Sequence, residues 1–187
     1  MAFFNNNAAQ GVQNREYLEN RFHSARKSLL MIVVFTVINL VLLVTNSNSY
    51  FVFSAFIPYL LTGTGMLFCG RFPAEFYEEE FIEEFLPPEF LTVMIAISAV
   101  IITLYLLAWL FSKKQKVGWL IFSFIAFALD TIVMFLLSDN LLSSILDILF
   151  HAWVLFDLCV AINMAGKLKK LPDEDPSDLI AADEPQI

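Results

Sequence analysis

The chain has 187 residues, of which 58% are hydrophobic and 16% charged, with a mean hydropathy of +0.69 and a formal net charge of −8. Soluble domains carry roughly a quarter charged residues, and a chain of this size keeps too much surface to hide so many apolar side chains from water. A water-soluble globular protein is therefore excluded, and the excess apolar surface must face lipid. Nucleic acid is not expected as a partner, because no basic stripe with interleaved aromatics occurs.

Residues 1–13 are Asn-rich and read as loose. Residues 14–27 suit a helix, because Leu18, Phe22, Ala25 and Leu29 recur at helical spacing with Arg15, Glu16, Glu19 and Arg26 around them. We read 1–27 as an amphipathic lead-in at the cytoplasmic interface, with a docking face for a partner as its alternative use. Residues 28–45 form the first predicted span. The run is uncharged, holds Asn39 as its one strongly polar residue, and with its flanks can cross ~30 Å of hydrocarbon. It is longer than a signal-peptide core and no small-residue cleavage pattern follows, so a cleaved signal peptide is not expected.

After a polar stop at 46–50 (NSNSY), residues 51–69 are again apolar enough to span. Pro58 and the Gly63-Thr64-Gly65 run read as interruptions of that segment. Residues 70–88 read as an amphipathic helix. Pro73 and Glu75 suit its first turn, and Pro87-Pro88 stops it. Tyr77, Phe81, Ile82, Phe85 and Leu86 fall on one side, and Glu79, Glu80, Glu83 and Glu84 form an acidic face on the other. That face either keeps the surface soluble or acts as a funnel that concentrates cations.

Uncharged or nearly uncharged runs at 90–111, 117–137 and 141–166 give three more predicted spans. The link 112–116 (SKKQK) is basic, and the link 138–140 (SDN) is so short that the last two spans must form an antiparallel pair. The tail 167–187 begins with Lys167, Lys169 and Lys170, turns acidic and Pro-containing, and reads as disordered.

Charge decides whether 51–69 crosses. Lys and Arg concentrate in cytoplasmic flanks. With four spans, Arg15, Arg21, Arg26, Lys27, Lys113, Lys114, Lys116, Lys167, Lys169 and Lys170 share one side, and only Arg71 falls outside. A fifth crossing would put the first four opposite the rest. The segment is therefore expected to be a re-entrant or interfacial hairpin at the outer face, packed against protein, because irregular backbone at membrane depth needs cover.

Ionisable groups within spans are the candidates for chemistry. Counting ~1.5 Å per residue from the basic ends, Asn39 and Asp130 lie about 16–18 Å in, Asp157 about 13 Å and His151 about 22 Å. With Asp147 nearer the opposite mouth, these five form a candidate intramembrane polar cluster. Asp147 and His151, four apart, share a helical face, while Asp157 is rotated by about 80–120° from them. The functional use is a proton- or cation-binding site; the structural use is interhelical hydrogen bonding.

Metal ligation is open, since Asp147 and His151 at i, i+4 are acceptable ligands but a site needs three or four. A calcium loop motif is absent, and with only His23 and His151 no H-E-x-x-H exists. Ser143 or Ser144 with His151 and Asp147 has the residue types of a hydrolase triad. No G-x-S-x-G elbow is present, however, and one helix cannot readily supply all three roles. Neither an enzyme nor a cofactor is expected. Cys69 and Cys159 lie in separate regions without metal-type spacing, so no disulfide is expected either.

The stretch 45–61 (TNSNSYFVFSAFIPYLL), followed by Cys69-Gly70 and then Pro73-Ala74-Glu75-Phe76-Tyr77, resembles small multi-pass membrane proteins encoded in Gram-positive bacterial genomes. The resemblance implies a bacterial plasma membrane, makes the outer segment the distinctive part, and carries over no activity.

The expected fold is thus an all-α polytopic membrane helix bundle of four transmembrane helices, both termini cytoplasmic, with an outer hairpin and acidic helix over 46–89. Two functions fit: a proton- or cation-handling protein built on Asp130, His151 and Asp157, which with four spans implies a homo-oligomer, or a non-catalytic accessory or scaffold subunit of a larger membrane complex.

Overall fold

The computed structural model describes residues 2–47, 49–51, 53–77, 84–114, 116–137 and 145–171. Among the described residues five α-helices follow one another: α1 (Ala2–Val44), α2 (Phe56–Phe68), α3 (Pro88–Phe111), α4 (Val117–Leu137) and α5 (Ile145–Leu168). No strand occurs among the described residues. Four of the helices, all but α2, are long and apolar enough to cross a membrane. The chain is an all-α, four-helix, multi-pass membrane bundle.

The four long helices form a ring in which α1 packs on α5 and α3, and α4 packs on α5 and α3. Neighbours run antiparallel. Ser28 meets Asp157, Arg26 meets Trp109, and Phe111 meets Trp119, so each pair is in register at one end. We call this the basic end. The outward faces of all four carry exposed large apolar side chains, such as Val41, Val100, Leu129 and Leu149, a surface suited to lipid rather than water.

Lead-in and first span are one helix. At ~1.5 Å per residue the 43 residues of α1 make a rod of about 64 Å, about twice the hydrocarbon thickness. The helix begins at Ala2 rather than at Asn14, because no proline interrupts the start and helix extends cheaply from an established turn. Beyond the span it packs on α5 through a seam. Leu18, Phe22, Ala25 and Leu29, spaced four, three and four apart, bury against the same core as Leu158, Ala161, Ala165 and Leu168. Arg26, 6% exposed, lies over the Trp109 ring at 5.3 Å and donates from Nε to the Trp109 carbonyl at 3.0 Å, a cation on the last turn of α3.

α2 is different. Its 13 residues reach about 20 Å, too short to cross. It lies against α1, α3 and α4 at the end of the bundle opposite the basic one. The chain leaves α1 at that end, descends irregularly to Ala55, and returns as α2. The descent begins at a turn in which Asn46 takes φ 51°, with Asn46 N–H donating to Leu43 O and Ser47 N–H to Leu42 O. The return ends the same way at Gly70 (φ 64°), with Gly70 N–H to Leu67 O and Arg71 N–H to Met66 O. The Asn46 side-chain amide donates to Arg71 O at 3.1 Å and ties the two mouths together. The segment is re-entrant: it enters and leaves at one end of the bundle.

Two local expectations change. Gly63-Thr64-Gly65 does not break α2, which runs through it; the irregular part precedes Phe56. Gly65 instead serves contact, because a Cβ there would stand 3.0 Å from Leu91 Cδ1 and 3.2 Å from Leu91 Cα on α3. Pro58 sits in the first turn, where its missing N–H is no loss, and its carbonyl accepts from Ser98 Oγ at 3.0 Å. The amphipathic helix expected over 70–88 is, in its described residues, a 3-10 turn at Ala74–Tyr77 and an irregular stretch at 84–87. Tyr77 turns back onto α2: Phe72 N–H donates to its hydroxyl, which lies 3.3 Å from Leu67 O. Glu79, Glu80 and Glu83, the link 138–140 and the tail beyond 171 lie outside the described residues, while Glu84 is exposed.

Candidate functional site

An irregular stretch inside a bundle must have its backbone N–H and C=O groups satisfied by something other than helix. Here polar side chains of the long helices do it. Asn39 on α1 holds both sides of Phe51: Nδ2 donates to Phe51 O at 2.6 Å, and Oδ1 accepts from Phe51 N–H at 2.8 Å. Its Nδ2 also donates to Ser54 Oγ at 2.8 Å. One turn deeper, Thr36 Oγ1 accepts from Ala55 N–H at 2.9 Å while donating to Ile32 O within its own helix. Thr36 and Asn39, three apart, point the same way, so one face of α1 holds the descending leg.

The start of α2 has no capping side chain of its own. Asp130 on α4 supplies the cap: Oδ2 accepts from Phe56 N–H at 2.8 Å and Oδ1 from Ile57 N–H at 2.7 Å. A buried carboxylate thus sits on the positive end of a helix dipole, where both the charge and the orphan donors are answered. Asp130 is 1% exposed.

His151 on α5 completes the arrangement. Its Nδ1 lies 2.8 Å from Asp147 O and its Nε2 lies 3.2 Å from Asp130 Oδ2. The carbonyl can only accept, so Nδ1 carries hydrogen. Nε2 faces the Asp130 carboxyl from the other side of the ring. The ring is stacked on Phe127 at 4.8 Å and 12° and edged by Phe150, which shut out water. We call Thr36, Asn39, Asp130 and His151 the clasp.

The five residues of the predicted polar cluster separate into groups. Asp130 and His151 are bonded to each other. Asn39 serves the same hairpin from another helix. Asp147 contributes its backbone carbonyl to His151, while its side-chain Oδ1 is buried with no hydrogen-bond partner among the described residues. Asp157 stands apart: Ser28 Oγ donates to its Oδ2 at 2.5 Å, about 9 Å along α5 from His151. The rotation of Asp157 away from the Asp147–His151 face turns it toward α1. Sequence reasoning passed over Thr36, Ser54 and Ser28, whose single hydroxyls carry little signal inside apolar runs. Spacing of Thr36 to Asn39 was the one available clue.

Among the described residues no group of three or more His, Cys, Asp or Glu side chains is placed to hold a metal ion. Cys69 and Cys159 are free thiols. Comparison with protein-family models, with curated proteins and with solved structures finds no match for the chain. The reading of function therefore rests on this geometry alone.

Proposed function

We propose that the chain is a non-catalytic accessory or scaffold subunit of a membrane complex, whose presented element is the clasped hairpin. The observation that carries this reading is the state of Asp130. Both of its oxygens are engaged by the hairpin backbone and one also by His151, so the carboxylate is used in building the protein. Asp157 likewise bonds to a neighbouring helix, as packing residues in membranes do. In this reading the hairpin end is outside, both termini are cytoplasmic and the membrane is a bacterial plasma membrane. The ten basic residues outside the hairpin region support that orientation.

Cross-linking and affinity capture from native membranes test the proposal. We expect a stoichiometric partner that is lost with Asp130→Ala and kept with Asp157→Asn, and no ion flux above background in proteoliposomes. A second reading, proton or cation handling by a homo-oligomer, is favoured by one observation, the buried Asp147 Oδ1 beside His151, which has no partner among the described residues. A pH-driven flux abolished by Asp130→Asn and Asp147→Asn would replace the scaffold reading with this one.

A further inference from the structure

A cavity of about 470 Å³ opens at the hairpin end, between the last turn of α1, the first half of α2 and the 3-10 turn. It shares no residue with the clasp. Leu43 forms an apolar wall, and Tyr59, Phe72 and Phe76 present aromatic rings. Phe72 and Phe76 lie 4.8 Å apart with planes 33° from parallel, which makes one continuous aromatic wall. Glu75 stands in the same lining with the Asn46 side chain.

The chemistry of this lining selects its ligand. Aromatic faces are electron-rich and attract cations, and a carboxylate beside them adds charge. An anion is disfavoured, because among the described residues no Lys, Arg or His lines the cavity. Arg71 is the sole basic residue of 46–89, against seven glutamates. A bare metal ion is disfavoured as well, since among the described residues Glu75 is the one carboxylate of the lining and no group of three His, Cys, Asp or Glu side chains is placed to hold a metal. A wholly apolar ligand would make no use of the Glu75 charge. What remains is a cation with an apolar shell. We propose that this cavity binds a small organic ammonium ion, its charge resting over the Phe72–Phe76 wall and against Glu75.

The cavity lies near the ends of the long helices, so the ammonium group can come from a free solute or from a phospholipid headgroup. The test uses the full chain in maltoside micelles free of phospholipid. Choline is titrated against its neutral isostere 3,3-dimethylbutan-1-ol, with binding read by ligand-observed NMR. We expect saturable choline binding and at least about ten-fold weaker binding of the alcohol. Glu75→Gln and Phe76→Leu should each weaken choline about five-fold. Both residues are exposed, so the variants are expected to fold, which circular dichroism checks. No saturation, equal binding of the alcohol, or wild-type affinity in both variants overturns the proposal. Where choline binds, nanodiscs of phosphatidylglycerol with and without phosphatidylcholine separate the sources. Weaker apparent choline binding in the mixed discs identifies the headgroup, and equal binding identifies a free solute.

Discussion

The hairpin end and the basic end hold the chain together by different physics. At the basic end α1 and α5 meet along a seam of Leu, Phe and Ala side chains, with the Ser28–Asp157 bond beside it. The seam lies within the helical stretches of α1 and α5, whose backbone bonds are made inside each helix, so shape carries most of it. At the hairpin end the descending leg and the start of α2 expose backbone donors and acceptors at depth. Thr36, Asn39 and Asp130 satisfy them from two other helices. The lesson is that a membrane bundle carries irregular backbone only where particular polar groups are aimed at it. Substitutions should therefore be abrupt at one end and graded at the other.

The largest effect should come from Asp130→Ala. It orphans the Phe56 and Ile57 N–H groups and the His151 Nε2 in a dry site, and we expect a loss of about 3 kcal/mol in SDS–maltoside unfolding. A loss no greater than that of a seam substitution would break the comparison. Asn39→Leu keeps the volume but removes both bonds to Phe51 and the bond to Ser54, for about 2 kcal/mol by the same measurement. Gly65→Ala probes packing at the hairpin end. Its new Cβ would meet Leu91 and Met94 at 3.0–3.2 Å, so α2 and α3 must separate, at about 1–2 kcal/mol. Ser28→Ala should be the mildest, about 0.6 kcal/mol, because one interhelical bond in a membrane is worth that much on average.

The spans were legible because each is an apolar run with few or no charges, bounded by basic or polar residues, and the hairpin because a fifth crossing would have split the basic groups. Where the half-helix starts was not legible. Its cap comes from Asp130 and the leg before it is held by Thr36 and Asn39, residues distant in the chain, while Gly63 and Gly65 offered a nearer and misleading signal. Glycine in a helix between packed neighbours serves close approach as well as bending, and local sequence does not tell these apart. Depth counting put His151 about one helical turn from the level shared by Asn39 and Asp130, and Asp130 and His151 meet. It gave Asp157 a similar depth but no azimuth, and azimuth decides partners. At the described start of the helix expected beyond Pro73, Ala74–Tyr77 form a 3-10 turn in which the Tyr77 hydroxyl bonds back to Phe72 and α2, a contact between ring and backbone that no periodicity encodes.

The central claim is that Asp130 holds the tip of a re-entrant segment inside the bundle. Its most direct test is a cysteine at Ile57, with Cys69 and Cys159 replaced by serine, probed by an impermeant maleimide from each side of the membrane. The account predicts protection from both sides in the otherwise native protein, and labelling from the hairpin side alone once Asp130→Ala is added. Labelling from the basic side, or reactivity that ignores Asp130, would contradict it.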